Sequence, residues 1–219
     1  LGAEMFDDNW EPAFDNEGSL ATLDFMKEML VYSPPGAESF DLGASDNAFL
    51  QGLTSMIIDR DKLIGMCQDP EKSKVADTVG FALQPKADDG YLETEAGGFA
   101  VGIPANSQNK KAAFLFLQWL TSKDTDKKLA LKAVTPSRLS TFSDPDVLEA
   151  QPAFVVVKEA VSHANPDWRP GIPEITRIQS QLLGVAINQV MTGAKDAKAA
   201  MEEIKEPVRK IMVEGGYIK

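Results

Sequence analysis

One cysteine, Cys67, stands in 219 residues, so the chain can form no internal disulfide and no CxxC redox or metal motif. A bacterial periplasm accommodates that as readily as a cytosol, because a chain this long buries enough apolar surface to need no covalent staple. There is also one histidine, His163, and nothing around it suggests a Ser/His/Asp relay. The hydrolase elbow GxSxG, the zinc helix HExxH, the phosphate loop GxxxxGK[ST] and the dinucleotide turn GxGxxG are all missing. No cofactor and no metal are expected. Apolar runs are short: residues 112–120 and 154–157 are the longest, far below the roughly 20 residues that cross a bilayer. Basic residues are outnumbered 22 to 33, a net charge of −11, and no local Lys/Arg cluster offsets it. Such a surface repels phosphate backbones and anionic lipid, which argues against nucleic acid as a partner. The first residues carry no initiator Met, basic segment or apolar leader core, as after loss of a signal peptide or of an amino-terminal part.

What is present is a globular composition, 43% hydrophobic, with helical periodicity over much of its length. Asn16 or Ser19 can cap a helix striped by Leu20, Leu23, Met26 and Leu30, ended by Pro34-Pro35-Gly36. A short helix is expected from Ser45-Asp46, burying Phe49 and Leu50 before Gly52. Ser107 is expected to cap a helix through Leu120 with Ala113, Phe116, Leu117 and Leu120 inward, and Ser122 to cap the next. Asp144-Pro145 places proline at a first helical position, and Pro152 opens a helix carrying Phe154 and Val157. Ile175, Ile178, Leu182, Val185 and Ala186 stripe a long helix closed by Gly193. Ala197, Met201, Ile204, Val208 and Ile211 stripe the last, with Pro207 as a kink. Residues 54–58, 78–83 and 99–103 read as strands, and 87–95 as an acidic loop. Strand and helix in alternation indicate an α/β class, yet the strands are too few for a self-contained sheet.

The order of segments resembles the substrate-binding proteins of carbohydrate ABC importers, of the maltodextrin-binding type. Ala13-Phe14-Asp15-Asn16-Glu17-Gly18 and the helix behind it resemble that family's "p-x-n-s-p-e-g" segment, and Phe49-Leu50-Gln51-Gly52-Leu53-Thr54-Ser55-Met56 its "F-x-x-G-x-a-A-M". Asp69-Pro70 through Val75, then Val79-Gly80 and Pro85, resemble "d-p-x-x-S-x-V…v-g…l-P". Gly97-Gly98-Phe99 through Pro104, Ser107 and the helix to Trp119-Leu120 resemble "G-G-x-x-x-x-I…A-A-x-x-F-l-x-w-l", with Thr135-Pro136-Ser137-Arg138 at the "P-x-R". Arg169-Pro170 to Glu174 and Met191-Thr192-Gly193 resemble "r-P-x-i-P-e-y…l-t-G". Family members are about twice as long. The resemblance therefore implies a helix-rich, type II periplasmic-binding-protein α/β fold, mostly its second lobe with part of the first. Segments 1–103 and 144–219 would belong to the second lobe and 104–143 to an excursion into the first. It further implies a carbohydrate ligand, ABC permease subunits as partners, a monomer and no enzymatic activity. The location would be periplasmic or extracellular, with a membrane anchor allowed for in a missing amino-terminal part.

Sugars present C–H faces and hydroxyl rims, so a site for them needs an aromatic plate and planar groups that fork onto two hydroxyls. The resemblance puts Gly97, Gly98, Phe99, Arg138, Trp168 and Arg169 near the ligand cleft. An aromatic residue usually follows the "A-A-M" strand; here Asp59 and Arg60 stand instead, so a polar contact would replace a stacking one. Each has a plainer reading. Gly97-Gly98 can make a tight turn that sends Phe99 into the core, and Arg138 can be an exposed loop cation. Trp168 can be a surface residue of a Pro-rich loop, and Asp59 a turn cap. Trp119 reads as core, Trp10 as a loop anchor, His163 as solvated and Cys67 as inert. Asp7-Asp8 and Asp88-Asp89 lack the spacing of a calcium loop. A carbohydrate-active enzyme or accessory domain, and an acidic helical interaction domain, are the alternatives to a binding protein.

Overall fold

The computed structural model describes residues 3–76, 78–86, 94–95 and 97–218. They fall into two compact units, Leu1–Ser45 with Arg169–Lys219, and Asp46–Trp168. The whole of 104–143 lies in the second unit, together with 46–103 and 144–168.

The first unit is built on helices whose ends the sequence marks. Asn16 caps α1 (Glu17–Met29), its side-chain oxygen accepting the Ser19 N–H at 2.7 Å. Asp196 caps α10 (Ala197–Glu214) in the same way through the Ala199 N–H at 2.9 Å. The apolar stripe of α10 is buried as its spacing requires: Met201, Ile204, Val208, Ile211 and Met212 meet Leu23 of α1 in one core. Opposite lies a long helical run in three parts: α8 (Ile175–Arg177), a π-helical stretch (Ile178–Leu183) and α9 (Gly184–Met191). Gly184 explains the interruption. Its N–H donates five residues back to the Gln179 carbonyl, and a Cβ at Gly184 would stand 3.0 Å from that oxygen. Gly193, at φ +73°, ends the run. The amino-terminal residues clasp α10: Arg209 Nε donates to both Glu11 carboxylate oxygens at 2.9 and 3.2 Å, and Lys205 pairs with Asp15 at 2.6 Å. Trp10, held at φ +64°, stacks against Tyr217 at 5.3 Å, which makes it the anchor its loop position suggests.

The second unit has two smaller cores. Ile64, Ala130, Phe142, Val147, Ala153 and Phe154 form one, with the Phe142 and Phe154 rings edge to face at 5.9 Å. Leu50, Leu63 and Cys67 form the other, on α2 (Leu42–Leu50) and α3 (Leu63–Cys67). Ser122 caps α5 (Lys123–Ala130) behind α4 (Lys110–Leu120), and Asp144 caps α6 (Pro145–Ala150) with Pro145 in its first turn. Helix α7 (Phe154–Ser162) completes the set. Among the described residues the one ladder is a two-residue parallel pair, β1 (Thr94–Glu95) with β2 (Ala164–Asn165).

Several expectations change. None of 54–58, 78–83 and 99–103 forms a strand, because no segment among the described residues offers a ladder. Helix α2 begins at Leu42, ahead of Ser45, because the Asp41 side chain already accepts the Ala44 N–H at 2.8 Å. Met26 and Val185, assigned to apolar stripes, are exposed at 43% and 51%, on the outer side of their helices. Helix α4 buries no residue; Phe116, expected inward, and Trp119, expected in the core, are both more than half exposed. Residues 87–93, which include the Asp88-Asp89 pair, lie outside the described set.

Phe154→Ala is expected to cost about 3–5 kcal/mol, since its side chain is fully buried against Phe142. Trp119→Ala should stay within about 1 kcal/mol. Urea denaturation followed by far-UV circular dichroism measures both, and equal losses would contradict the placement of Trp119.

Candidate ligand site

The residues singled out for ligand contact divide between the two units, the boundary falling between Trp168 and Arg169. Phe99 is wholly exposed in an extended segment, so the reading that sends it into the core is wrong. Gly97 and Gly98 carry no positive φ. A Cβ at Gly98 would meet open space, and one at Gly97 only the tip of the Glu95 side chain at 2.8 Å. Backbone geometry therefore does not demand glycine at either position. Trp168 is exposed at 37%, following the Asn165–Asp167 turn in which the Asp167 N–H donates to Asn165 Oδ1 at 2.8 Å. Arg169 lies in the first unit, where Nη1 donates to Gln179 Oε1 at 3.4 Å.

Arg138 is committed locally. Its Nε donates to the Thr121 carbonyl at 3.1 Å and Nη2 to the same oxygen, which places a cation at the carboxy-terminal end of α4. Beside it Asp126 Oδ1 accepts the Ser137 N–H at 2.9 Å and its hydroxyl at 2.8 Å. Burial pushes the Asp126 carboxyl up, but the neighbouring Thr141 hydroxyl, the Ser137 donors and the Arg138 charge together hold it below the usual range. The Pro-Ser-Arg corner thus fixes the turn from α4 into α5.

Asp59 does more than cap a turn. Its Oδ1 accepts the Arg60 N–H at 2.5 Å and Arg60 Nε at 3.2 Å, while its side chain is only 8% exposed. Nearby, Lys62 Nζ donates to Asp46 Oδ2 at 2.7 Å, and Asp46 Oδ1 is buried with no donor among the described residues. Burial pushes the Asp59 carboxyl up, yet a hydrogen bond with Asp46, in which the proton stays on Asp46, and the N–H groups and charge of Arg60 hold it low. Burial, then the Asp46 charge, pushes the Cys67 thiol up, in keeping with an unreactive cysteine. Asp46 and Lys62 were not singled out in the sequence, where Asp46 reads as a helix start; only a paired partner reveals it. A cavity of about 360 Å³ opens beside this cluster's chain segment, lined by Phe49, Leu53, Thr54, Ser55, Thr78 and Val79 among others. Its hydroxyls were hidden by the strand reading of 54–58. Among the described residues no group of three His, Cys, Asp or Glu side chains could hold a metal ion, and no helix is long and apolar enough to cross a membrane.

This is the backbone of a type II periplasmic-binding protein: it follows the solved structure of an ABC transporter solute-binding protein from Agrobacterium radiobacter in complex with ribitol. The TM-score is 0.86 at 29% identity, over 96% of this chain and 54% of that one. Residues 1–127 match the family of bacterial extracellular solute-binding proteins, and the chain belongs to that family. A mannitol-binding protein of Pseudomonas aeruginosa is 29% identical over 236 residues, spanning 100% of this chain and 54% of that protein. A protein of Sinorhizobium fredii named as a probable amino-acid ABC transporter periplasmic-binding protein is 26% identical over 220 residues, spanning 100% of this chain and 49% of its own length. The chain thus spans about half the length of these relatives.

The Asp59 carboxyl titrates lower in the fold than its value of about 3.9 in an unfolded chain. Its ionisation therefore contributes stability above pH about 4 that is lost as pH falls through the folded value. Asp59→Asn should lower the melting temperature at pH 7, and the gap to the unaltered chain should close toward pH 2. Calorimetry across that range checks it; a gap independent of pH would assign the effect to packing.

Proposed function

We propose that this chain forms part of the solute-binding subunit of an ABC importer and helps to bind a sugar alcohol or sugar between two lobes. The observation that carries the reading is the backbone match to the ribitol-bound protein, with the mannitol-binding relative at the same 29% identity in support. In this reading 1–103 and 144–219 belong to one lobe and 104–143 to an excursion into the other. The chain acts by binding alone, as a monomer in the periplasm or outside the cell, and its closed form docks on permease subunits.

Within that site Phe99 and Trp168 supply apolar plates, since both present ring surface to solvent. Asp59 and Arg60, already paired, offer an acceptor and donors that can fork onto adjacent hydroxyls of an acyclic polyol. Arg169 adds a guanidinium, Arg138 acts at the margin through its hold on Thr121, and Gly97-Gly98 leave the approach to Phe99 uncrowded.

Affinity in a cleft depends on removing most of the ligand surface from water, so these 219 residues alone should bind polyols weakly. Titration calorimetry of the chain joined to its complementary lobe, against mannitol, ribitol, maltose and an amino-acid panel, tests the class of ligand. Polyol or sugar binding is the expected outcome; amino-acid binding in its place would move the assignment toward the Sinorhizobium relative. Trp168→Ala should weaken binding about tenfold through lost ring burial, with Trp119→Ala near neutral. Unchanged affinity in Trp168→Ala and Asp59→Asn would remove both residues from the site.

A further inference from the structure

The carboxy-terminal tail turns back on its own helix. Beyond α10, Gly216 stands at φ +80° and the Tyr217 N–H donates to the Met212 carbonyl at 3.0 Å, which seats Ile218 in the core. The Tyr217 ring lies across Gly215, where a Cβ would stand 2.5 Å from it and 3.3 Å from the Glu174 carboxyl carbon. Trp10 stacks on the same ring at 5.3 Å and Phe6 on Trp10 at 5.8 Å, both from an amino-terminal loop closed by the Ala13 N–H to the Met5 carbonyl at 3.0 Å. What these contacts hold in place is one polar atom: the Tyr217 hydroxyl donates to Glu174 Oε2 at 3.0 Å. Burial, then the Glu174 carboxylate, pushes that hydroxyl above its ordinary range, so it keeps its proton at neutral pH.

Glu174 stands at the head of α8 yet makes no side-chain cap bond to its own helix; its carboxylate is turned to Tyr217 instead. It ends a strap, 169–174, in which Pro170 and Pro173 have no N–H to offer and Ile172 is the one buried residue. The strap is thus fastened at Ile172 and at Glu174. It begins with Arg169, whose Nη1 donates to Gln179 Oε1 on the π-helical stretch. Backbone and guanidinium of Arg169 are therefore both referred to the start of α8. We propose that Tyr217, through Glu174, is a positioning residue that fixes the 169–174 strap and with it the Arg169 guanidinium. Its bearing on a ligand rests on the functional reading above, which places Arg169 in the site. A ring that only filled space over Gly215 would need no hydroxyl, and phenylalanine would serve as well.

Tyr217→Phe keeps the ring on Trp10 and removes the one oxygen. Hydrogen exchange read by NMR in the 219-residue chain follows the Ile175 and Ile178 amides, which donate to the Ile172 and Glu174 carbonyls. Both should exchange about fivefold faster in Tyr217→Phe, with Ile204 and Val208 of α10 unchanged. Glu174→Leu should do the same, and Glu174→Gln, which keeps an acceptor, should not. In the chain joined to its complementary lobe, calorimetry with D-mannitol and ribitol should show Tyr217→Phe weakening binding about fivefold, and adding nothing in an Arg169→Ala background. Unchanged exchange at Ile175 and Ile178 would overturn the proposal, as would equal loosening of α10 or Glu174→Gln behaving like Glu174→Leu. So would a loss in Tyr217→Phe that persists in the Arg169→Ala background. If the unaltered joined protein binds neither polyol while the exchange responds as expected, the strap is positioned as proposed and the functional reading above falls.

Discussion

A backbone N–H or C=O that leaves water must find a partner, and helices and strands meet that demand differently. A helix closes its bonds within its own segment, whereas a strand borrows them from a neighbour that can lie anywhere in the chain. Most of this molecule follows from that difference. The long elements of Leu1–Ser45 with Arg169–Lys219 are self-sufficient and need only bury one stripe each, which α10 does on Leu23, Ile178 and Ala186. In Asp46–Trp168 the β-prone segments join no ladder among the described residues; Ile57, Val79 and Phe81 pack on a small core, while Phe99 and Val101 stay exposed.

The same difference decides what could be read in advance. Caps are local chemistry, and Asn16, Ser122 and Asp144 stand where their helices start, whereas α4 starts at Lys110 behind Asn109, without the cap expected of Ser107. The α10 stripe and the proline inside it were equally legible, because a period of 3.6 concerns one segment alone. Of the strand readings, that at 78–83 recognised a local pattern, as the alternation of Val79, Gly80, Phe81 and Ala82 between half-buried and exposed shows, whereas 54–58 and 99–103 do not alternate in burial. They failed as strands because pairing is non-local. The π-helical step is a third case: its trace in the sequence is one glycine, Gly184, whose need shows only beside the Gln179 carbonyl.

Side chains of the candidate site divide on similar lines. Exposure of Phe99 could not be inferred from composition, since Gly-Gly-Phe before an apolar run serves a core as well as a surface. Arg138 and Asp126 are joined to each other's neighbourhood through Thr121 and Ser137, a link across 11 to 17 residues that no spacing rule anticipates. The Asp46–Lys62 pair is likewise non-local, and only that pair makes Asp59 part of a charged cluster.

Prior commitment of these groups bears on how they could serve a ligand. A guanidinium free in water loses side-chain freedom on binding, whereas one already held by a carboxylate or carbonyl has met that cost in folding. Arg60 is oriented by Asp59, and Asp59 by burial beside Asp46, so their remaining donors and lone pairs point in fixed directions. Arg138 is oriented too, but toward the end of α4, and its effect on a ligand would pass through the placement of that helix. Rigid polar groups favour solutes whose hydroxyls match their directions, while exposed rings such as Phe99 and Trp168 tolerate variation in the carbon chain between them. In the site proposed above, discrimination would therefore fall to the Asp59–Arg60 pair, and the rings would contribute affinity with little selectivity.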